Sequence, residues 1–164
     1  MTHKAPYPPF ELPQRRLEVR AAEKASAATA LGIVVFEGDE FPAVIGEERA
    51  AELGFTPKPG ATLVLAGAEG PVTVLLGAGL HSQADLATMR NVAAALARAV
   101  PVHRALALEV PRTGLATDGI AAAFVEGAAL ARYVYRLGAE ADDAKLDSLE
   151  LVAGSALLAD LTQG

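Results

Sequence analysis

The sequence predicts an α/β fold of three layers: a mixed, mostly parallel sheet flanked by helices. Short β-branched or apolar runs, such as ALGIVVF (30–36), VTVLL (72–76) and RALALEV (104–110), alternate with longer stretches of helical spacing at 82–100 and 117–135. The run ALGIVVF is apolar throughout, as a strand covered on both faces requires. The early strands have short connections, which leaves room for antiparallel pairs and makes the sheet mixed.

The elements follow in chain order. Residues 1–13 hold Pro6, Pro8, Pro9 and Pro13 and read as a flexible proline-rich arm. Residues 14–153 are expected to form a single domain, and 154–164 to begin a linker. LEVRA (17–21) alternates as a half-buried strand does, and Ala30–Phe36 is the next strand, closed by a turn at Glu37-Gly38-Asp39. EERAAEL (47–53) suits a short helix stopped by Gly54. TLVLA (62–66) and VTVLL (72–76), separated by GAEGP, suit two strands and a turn.

After Gly77-Ala78-Gly79, Ser82 is placed to cap a helix, with Asp85 completing a box-like pattern. Leu86, Met89, Ala93, Leu96 and Val100 recur at helical spacing along it, and Pro101 ends it. The strand 104–110 follows, then a helix from Thr117 or Asp118 to about Tyr135. A charged loop spans 138–148, and LELVA (149–153) is the last strand.

Composition removes several classes of function. The 164 residues contain no cysteine, so disulfides, thiolate metal sites and cysteine nucleophiles are excluded together. The net charge of −6 lacks the basic footprint of a nucleic-acid binder. Every uncharged run is broken well before the roughly 18 residues that a membrane span needs, and the start has no apolar signal core. A cytoplasmic setting is the expectation.

Two stretches invite a functional reading. In LLGAGLHS a strand runs through Gly77 and Gly79 toward a helix start, where amides and the helix end can cradle a phosphate. The dinucleotide fingerprint is incomplete, because Ser82 stands where a third glycine or an alanine belongs, so Gly77, Gly79, His81 and Ser82 are candidate ligand contacts beside the plainer alternative of a tight turn. His81 alone among the three histidines adjoins such a turn. Asp142-Asp143, with Glu140 and Asp147 nearby, lacks the spacing of a calcium loop. No Gly-x-Ser-x-Gly elbow is present.

The second stretch is FVEGAALARYVYR (124–136). A mid-helix glycine costs about 1 kcal/mol relative to alanine. Gly127 falls on one stripe with Ile120, Phe124, Ala131 and Val134, so the expectation is a close approach of the helix to a strand. Glu126, Leu130 and Tyr133 complete the pattern as structural residues.

Glu126-Gly127-x-x-Leu130-x-x-Tyr133, at the end of an alanine-rich helix, resembles the end of the N-terminal domain of cytosolic leucyl aminopeptidases. VTVLLGAGL followed by Met89-Arg90-Asn91-Val92-Ala93 is similar to that family's strand, Gly-x-Gly turn and arginine-containing helix. The likeness spans roughly residues 31–153.

The resemblance implies a macro-domain-like N-terminal domain. It also implies a larger C-terminal domain that holds two divalent metal ions (Zn or Mn), a catalytic lysine and arginine, and the motif Asn-Thr-Asp-Ala-Glu-Gly-Arg. That motif does not occur here, so no catalytic or metal residue carries over, and no cofactor is expected in this chain. The parent protein would hydrolyse N-terminal residues from peptides, its metals activating water. The implied partners are the catalytic domain of the same parent chain and further copies in a homo-oligomer, a hexamer in full-length relatives. The implied role is oligomer assembly and control of access to the active site. Some relatives bind DNA; the acidic charge argues against nucleic acid here. The alternative is a stand-alone macro-like or Rossmann-like module binding a nucleotide or phosphate through the Gly77–Ser82 turn.

Overall fold

A computed structural model describes residues 17–26, 30–66, 70–133 and 145–154. They form β1 (Glu18–Ala22), β2 (Ala30–Phe36), α1 (Glu47–Glu52), β3 (Thr62–Leu65), β4 (Val72–Gly79), α2 (Leu86–Ala99), β5 (Ala105–Glu109), α3 (Thr117–Ala131) and β6 (Ser148–Val152). The strands make one sheet in the order β1-β6-β5-β2-β4-β3. All neighbours are parallel except β3 and β4, which pair antiparallel from Thr62↔Leu76 to Leu65↔Thr73. The mixed, mostly parallel sheet flanked by helices is therefore the observed α/β architecture.

The period of two along each strand sorts side chains into two cores. On one face Phe36, Val74, Leu76, Leu106, Leu108, Leu149 and Leu151 pack with Met89, Ala93 and Leu96 of α2 and Ile120 and Phe124 of α3. On the other, Val35 and Leu75 pack with Ile45, Ala50 and Phe55 around α1. The same alternation puts Glu150 inward between Leu149 and Leu151 of β6, at 1% exposure. It is tolerated because its carboxylate is fully engaged: Arg20 of β1 donates to it, and so do the Ser26 amide and hydroxyl at 2.8 and 2.5 Å. Burial alone would raise this carboxyl; the Ser26 and Arg20 donors outweigh it and hold it below the ordinary value.

Two helix boundaries differ from the sequence expectation. α2 begins at Leu86, capped by Asp85 rather than Ser82: Asp85 Oδ1 accepts the Thr88 amide at 2.7 Å, and the Thr88 hydroxyl faces the Asp85 amide in return. Ser82 instead lies in a 3-10 turn at 81–83. α3 ends at Ala131 rather than near Tyr135, because Arg132 leaves the helix to reach the end of α2. The arm 1–13, the stretch 155–164, Tyr135, Arg136, and Asp142 and Asp143 lie outside the described residues.

Candidate functional site

The glycine turn is closed by its own chain. β4 continues through Gly77-Ala78-Gly79 instead of ending at Leu76, and loop 57–61 lies against it. The Gly77 amide donates to the Ala61 carbonyl at 2.8 Å and the Gly79 amide to the Pro57 carbonyl at 2.7 Å. A Cβ on Gly77 would come within 2.2 Å of the Lys58 carbonyl oxygen. Gly79 adopts φ +77°, where a side chain would be strained as well as pressed on Pro59. Neither glycine keeps an amide for an anion. The glycines are needed because protein backbone, not a ligand, comes close.

His81 is held from two sides. Its Nε2 sits 2.9 Å from Asp39 Oδ1, and its ring stacks on Phe36 with centroids 3.9 Å apart. Together they pin the turn after β4 to the turn after β2. Ser82 is exposed and makes no side-chain hydrogen bond among the described residues.

The other candidate residues meet at a joint between helices. Gly127 does not face the sheet, as its stripe suggested; it lies against the backbone of α2. A Cβ there would fall 2.1 Å from the Arg90 carbonyl oxygen and 3.1 Å from its Cα. Beside it, the Glu126 carboxylate lies 2.8 Å from Arg90 Nε, an ion pair outside hydrogen-bond alignment. Two motifs some 36 residues apart in sequence, Met89-Arg90-Asn91 and Glu126-Gly127, thus form one contact. The cost of a glycine in α3 is offset by backbone approaching backbone across the layer.

One turn later, Arg132 fastens the same joint. It is buried, and its guanidinium donates to the Val100 carbonyl at 2.6 Å, the His103 carbonyl at 3.0 Å and the Pro101 carbonyl. These carbonyls belong to the turn that follows α2, where a cation also meets the negative helix terminus. Burial pulls the Arg132 guanidinium below its usual value. Its partners lie about thirty residues away, so no local pattern announces it. Leu130 and Tyr133 turn outward at 62% and 71% exposure, close to the Arg132-bound turn that carries exposed Val102.

An open groove of about 560 Å³ runs between α2 and β3, lined by Pro59, Gly60, Thr62, Asn91 and Arg98 over a floor of Ala95 and Ala99. The apolar stripe of α2 says nothing of Asn91 and Arg98, and no local pattern in the sequence brings β3 beside them. No three of His, Asp, Glu and Cys come together to hold a metal among the described residues. These residues do not fit the two-metal centre that the resemblance implies for full-length relatives. Nor does any helix among them have the length and apolarity to cross a membrane.

A mixed, mostly parallel six-stranded sheet flanked by helices, its candidate glycines closed by neighbouring backbone, defines an α/β domain. The chain belongs to the cytosol aminopeptidase family: residues 43–137, more than half its length, match the family's N-terminal domain. Among solved structures it is similar to the bottromycin maturation enzyme BotP in complex with Mn, at 26% identity and TM-score 0.61, over 84% of this chain and 29% of that one. It is also similar to a mutant of tomato leucine aminopeptidase, at 20% identity and TM-score 0.66, over 93% of this chain and 36% of that one. A further BotP structure matches at 24% identity and TM-score 0.59. The chain thus spans about a third of the length of these structures. No curated protein matches it significantly in sequence.

Proposed function

We propose that this chain serves as the non-catalytic N-terminal domain of a leucyl aminopeptidase-like protein, contributing to oligomer assembly and to access to the active site. One observation carries the reading: the residues of the aminopeptidase-like motifs are spent on joining α2 to α3, Gly127 against the Arg90 carbonyl and Glu126 against its guanidinium. Asn91 of these motifs lines the α2–β3 groove, but no group of three His, Asp or Glu stands with it among the described residues in the manner of a catalytic metal site. Removal of N-terminal residues from peptides, with two divalent metals such as Zn or Mn, falls in this reading to a catalytic domain of the same parent. Exposed Leu130 and Tyr133 give the end of the helix layer an apolar surface suited to that domain or to other copies in a homo-oligomer. We place the protein in the cytoplasm, in keeping with the family's name.

Two measurements test this. The purified 164-residue chain, supplied with Mn²⁺ or Zn²⁺, should not hydrolyse leucine p-nitroanilide; turnover that persists after repurification overturns the non-catalytic assignment. Immunoblotting of source cells should reveal a protein much heavier than 16.8 kDa. A single band at that mass would remove the assembly and access role.

A further inference from the structure

We propose that the groove between α2 and β3 accepts an extended acidic peptide segment, which adds to the outer edge of β3 as a further strand and presents a carboxylate side chain to Arg98. This goes beyond the aminopeptidase reading and does not depend on it.

The first support is the contrast between the two sheet edges. β1 closes one edge and carries Glu18 and Arg20, charges that discourage pairing with another chain. β3 closes the other with Thr62-Leu63-Val64-Leu65, which has no charge and no proline. Its outer edge pairs with no strand among the described residues. Such an edge offers a row of amides and carbonyls as a template for an added strand.

The second support is what flanks that edge. Register with Leu76 and Val74 places Thr62 and Val64 on the side of the sheet covered by α2, while Leu63 packs into the opposite core. Val64 is 44% exposed there. Alternate side chains of an added strand would therefore enter the trough between Thr62 and α2. Its volume, about 560 Å³, lies in the range of a ligand site. The trough is open along its length, which suits an extended chain better than an enclosed small molecule.

Charge selects the occupant. Arg98 is the only ionised side chain lining the groove, and it has no carboxylate partner among the described residues, in a chain of net charge −6. The Asn91 amide and the Thr62 hydroxyl beside it also make no side-chain hydrogen bond there. An acidic side chain satisfies all three donors. A second copy adding through its own β3 brings no acid from that strand and leaves Arg98 unpaired, so an acidic peptide is the better fit.

The test uses the 15N-labelled 164-residue chain and two mixtures of acetylated, amidated random octapeptides. One is built from Val, Thr, Ile and Glu; the other has Gln in place of Glu. The Glu mixture should shift the amide resonances of Thr62–Leu65 and the Arg98 Nε signal, and the Gln mixture should bind several-fold more weakly. Arg98→Ala, an exposed change that leaves both cores intact, should erase the difference between mixtures, and Val64→Lys should weaken both. Equal binding of the two mixtures, or no shift along β3, overturns the proposal. So do the same shifts produced by inorganic phosphate, which mark a simple anion site, or by concentrating the chain alone, which mark self-association.

Discussion

Gly77 and Gly127 present the same local fact in two different settings. At each, an added Cβ would lie about 2 Å from a carbonyl oxygen: 2.2 Å from Lys58 at one, 2.1 Å from Arg90 at the other. At Gly127 the opposing carbonyl belongs to a fourteen-residue helix buried along one face. At Gly77 it belongs to loop 57–61, tied to β4 by a few hydrogen bonds. A glycine in a motif records that backbone comes close, and it does not record whose. The Gly-x-Gly turn and the Glu-Gly helix call for opposite functional readings by sequence, one as a cradle and one as a packing device, yet both are filled by the chain itself.

The difference in what opposes each glycine predicts a difference in cost. Gly127→Leu should have the largest effect, a loss on the order of 3 kcal/mol or more, since α2 and α3 must separate or shift to admit the side chain. Chemical denaturation should report it, and an unchanged midpoint would remove the helix joint from the account. Gly77→Ala should cost less, about 1–3 kcal/mol, because a loop tied down by a few hydrogen bonds can shift to clear the Lys58 carbonyl more easily than a packed helix can. If Gly77→Ala proves as damaging as Gly127→Leu, the loop is as rigid as the helix and the contrast fails.

These two positions also mark how far the sequence could be read. Among the described residues, apolar periodicity located the six strands and three helices to within a few residues, because hydrophobic period is a local property. What it missed depends on distant partners. Strand β4 runs on through Gly79 because loop 57–61 and β2 supply its hydrogen bonds, so glycines that look like a turn are still sheet. Asp85, not Ser82, caps α2, because Asp85 reaches the Thr88 amide while Ser82 is held in the 3-10 turn before the helix. The Arg132 clamp has no local mark at all, since its acceptors are Val100, Pro101 and His103. The α2–β3 groove appears only once strand order puts an uncharged edge next to Asn91 and Arg98.

A smaller effect is expected where a polar group rather than a backbone contact closes the structure. Glu150→Gln should cost about 1–3 kcal/mol at neutral pH, since Arg20 and Ser26 then face a neutral amide at a buried site. The carboxyl of the folded protein lies below its ordinary value of 4.5. Its contribution is therefore complete above that value and is lost as pH falls through the lower folded value. Wild type and variant should converge in melting temperature in that acid range. Glu109 has the opposite sign: burial raises its carboxyl, so ionisation costs stability above the folded value and nothing below 4.5. Glu109→Gln should raise the melting temperature slightly at pH 7, and the gain should vanish in acid.

The smallest effect belongs to His81, and it bears directly on the glycine comparison. His81→Ala removes a half-exposed contact with Asp39 and a stack on Phe36, and the loss should stay below about 1 kcal/mol. A ligand cradle at Gly77–Ser82 would behave differently: millimolar ADP-ribose or NAD would raise the melting temperature of the wild type, and the alanine variant would lose that gain. We expect neither ligand to stabilise either protein, because the Gly77 and Gly79 amides already donate to Ala61 and Pro57. A ligand-dependent rise abolished by His81→Ala would show that loop 57–61 can leave the turn. Gly77 and Gly127 would then differ in kind: one would be an exchangeable backbone contact and the other a permanent one.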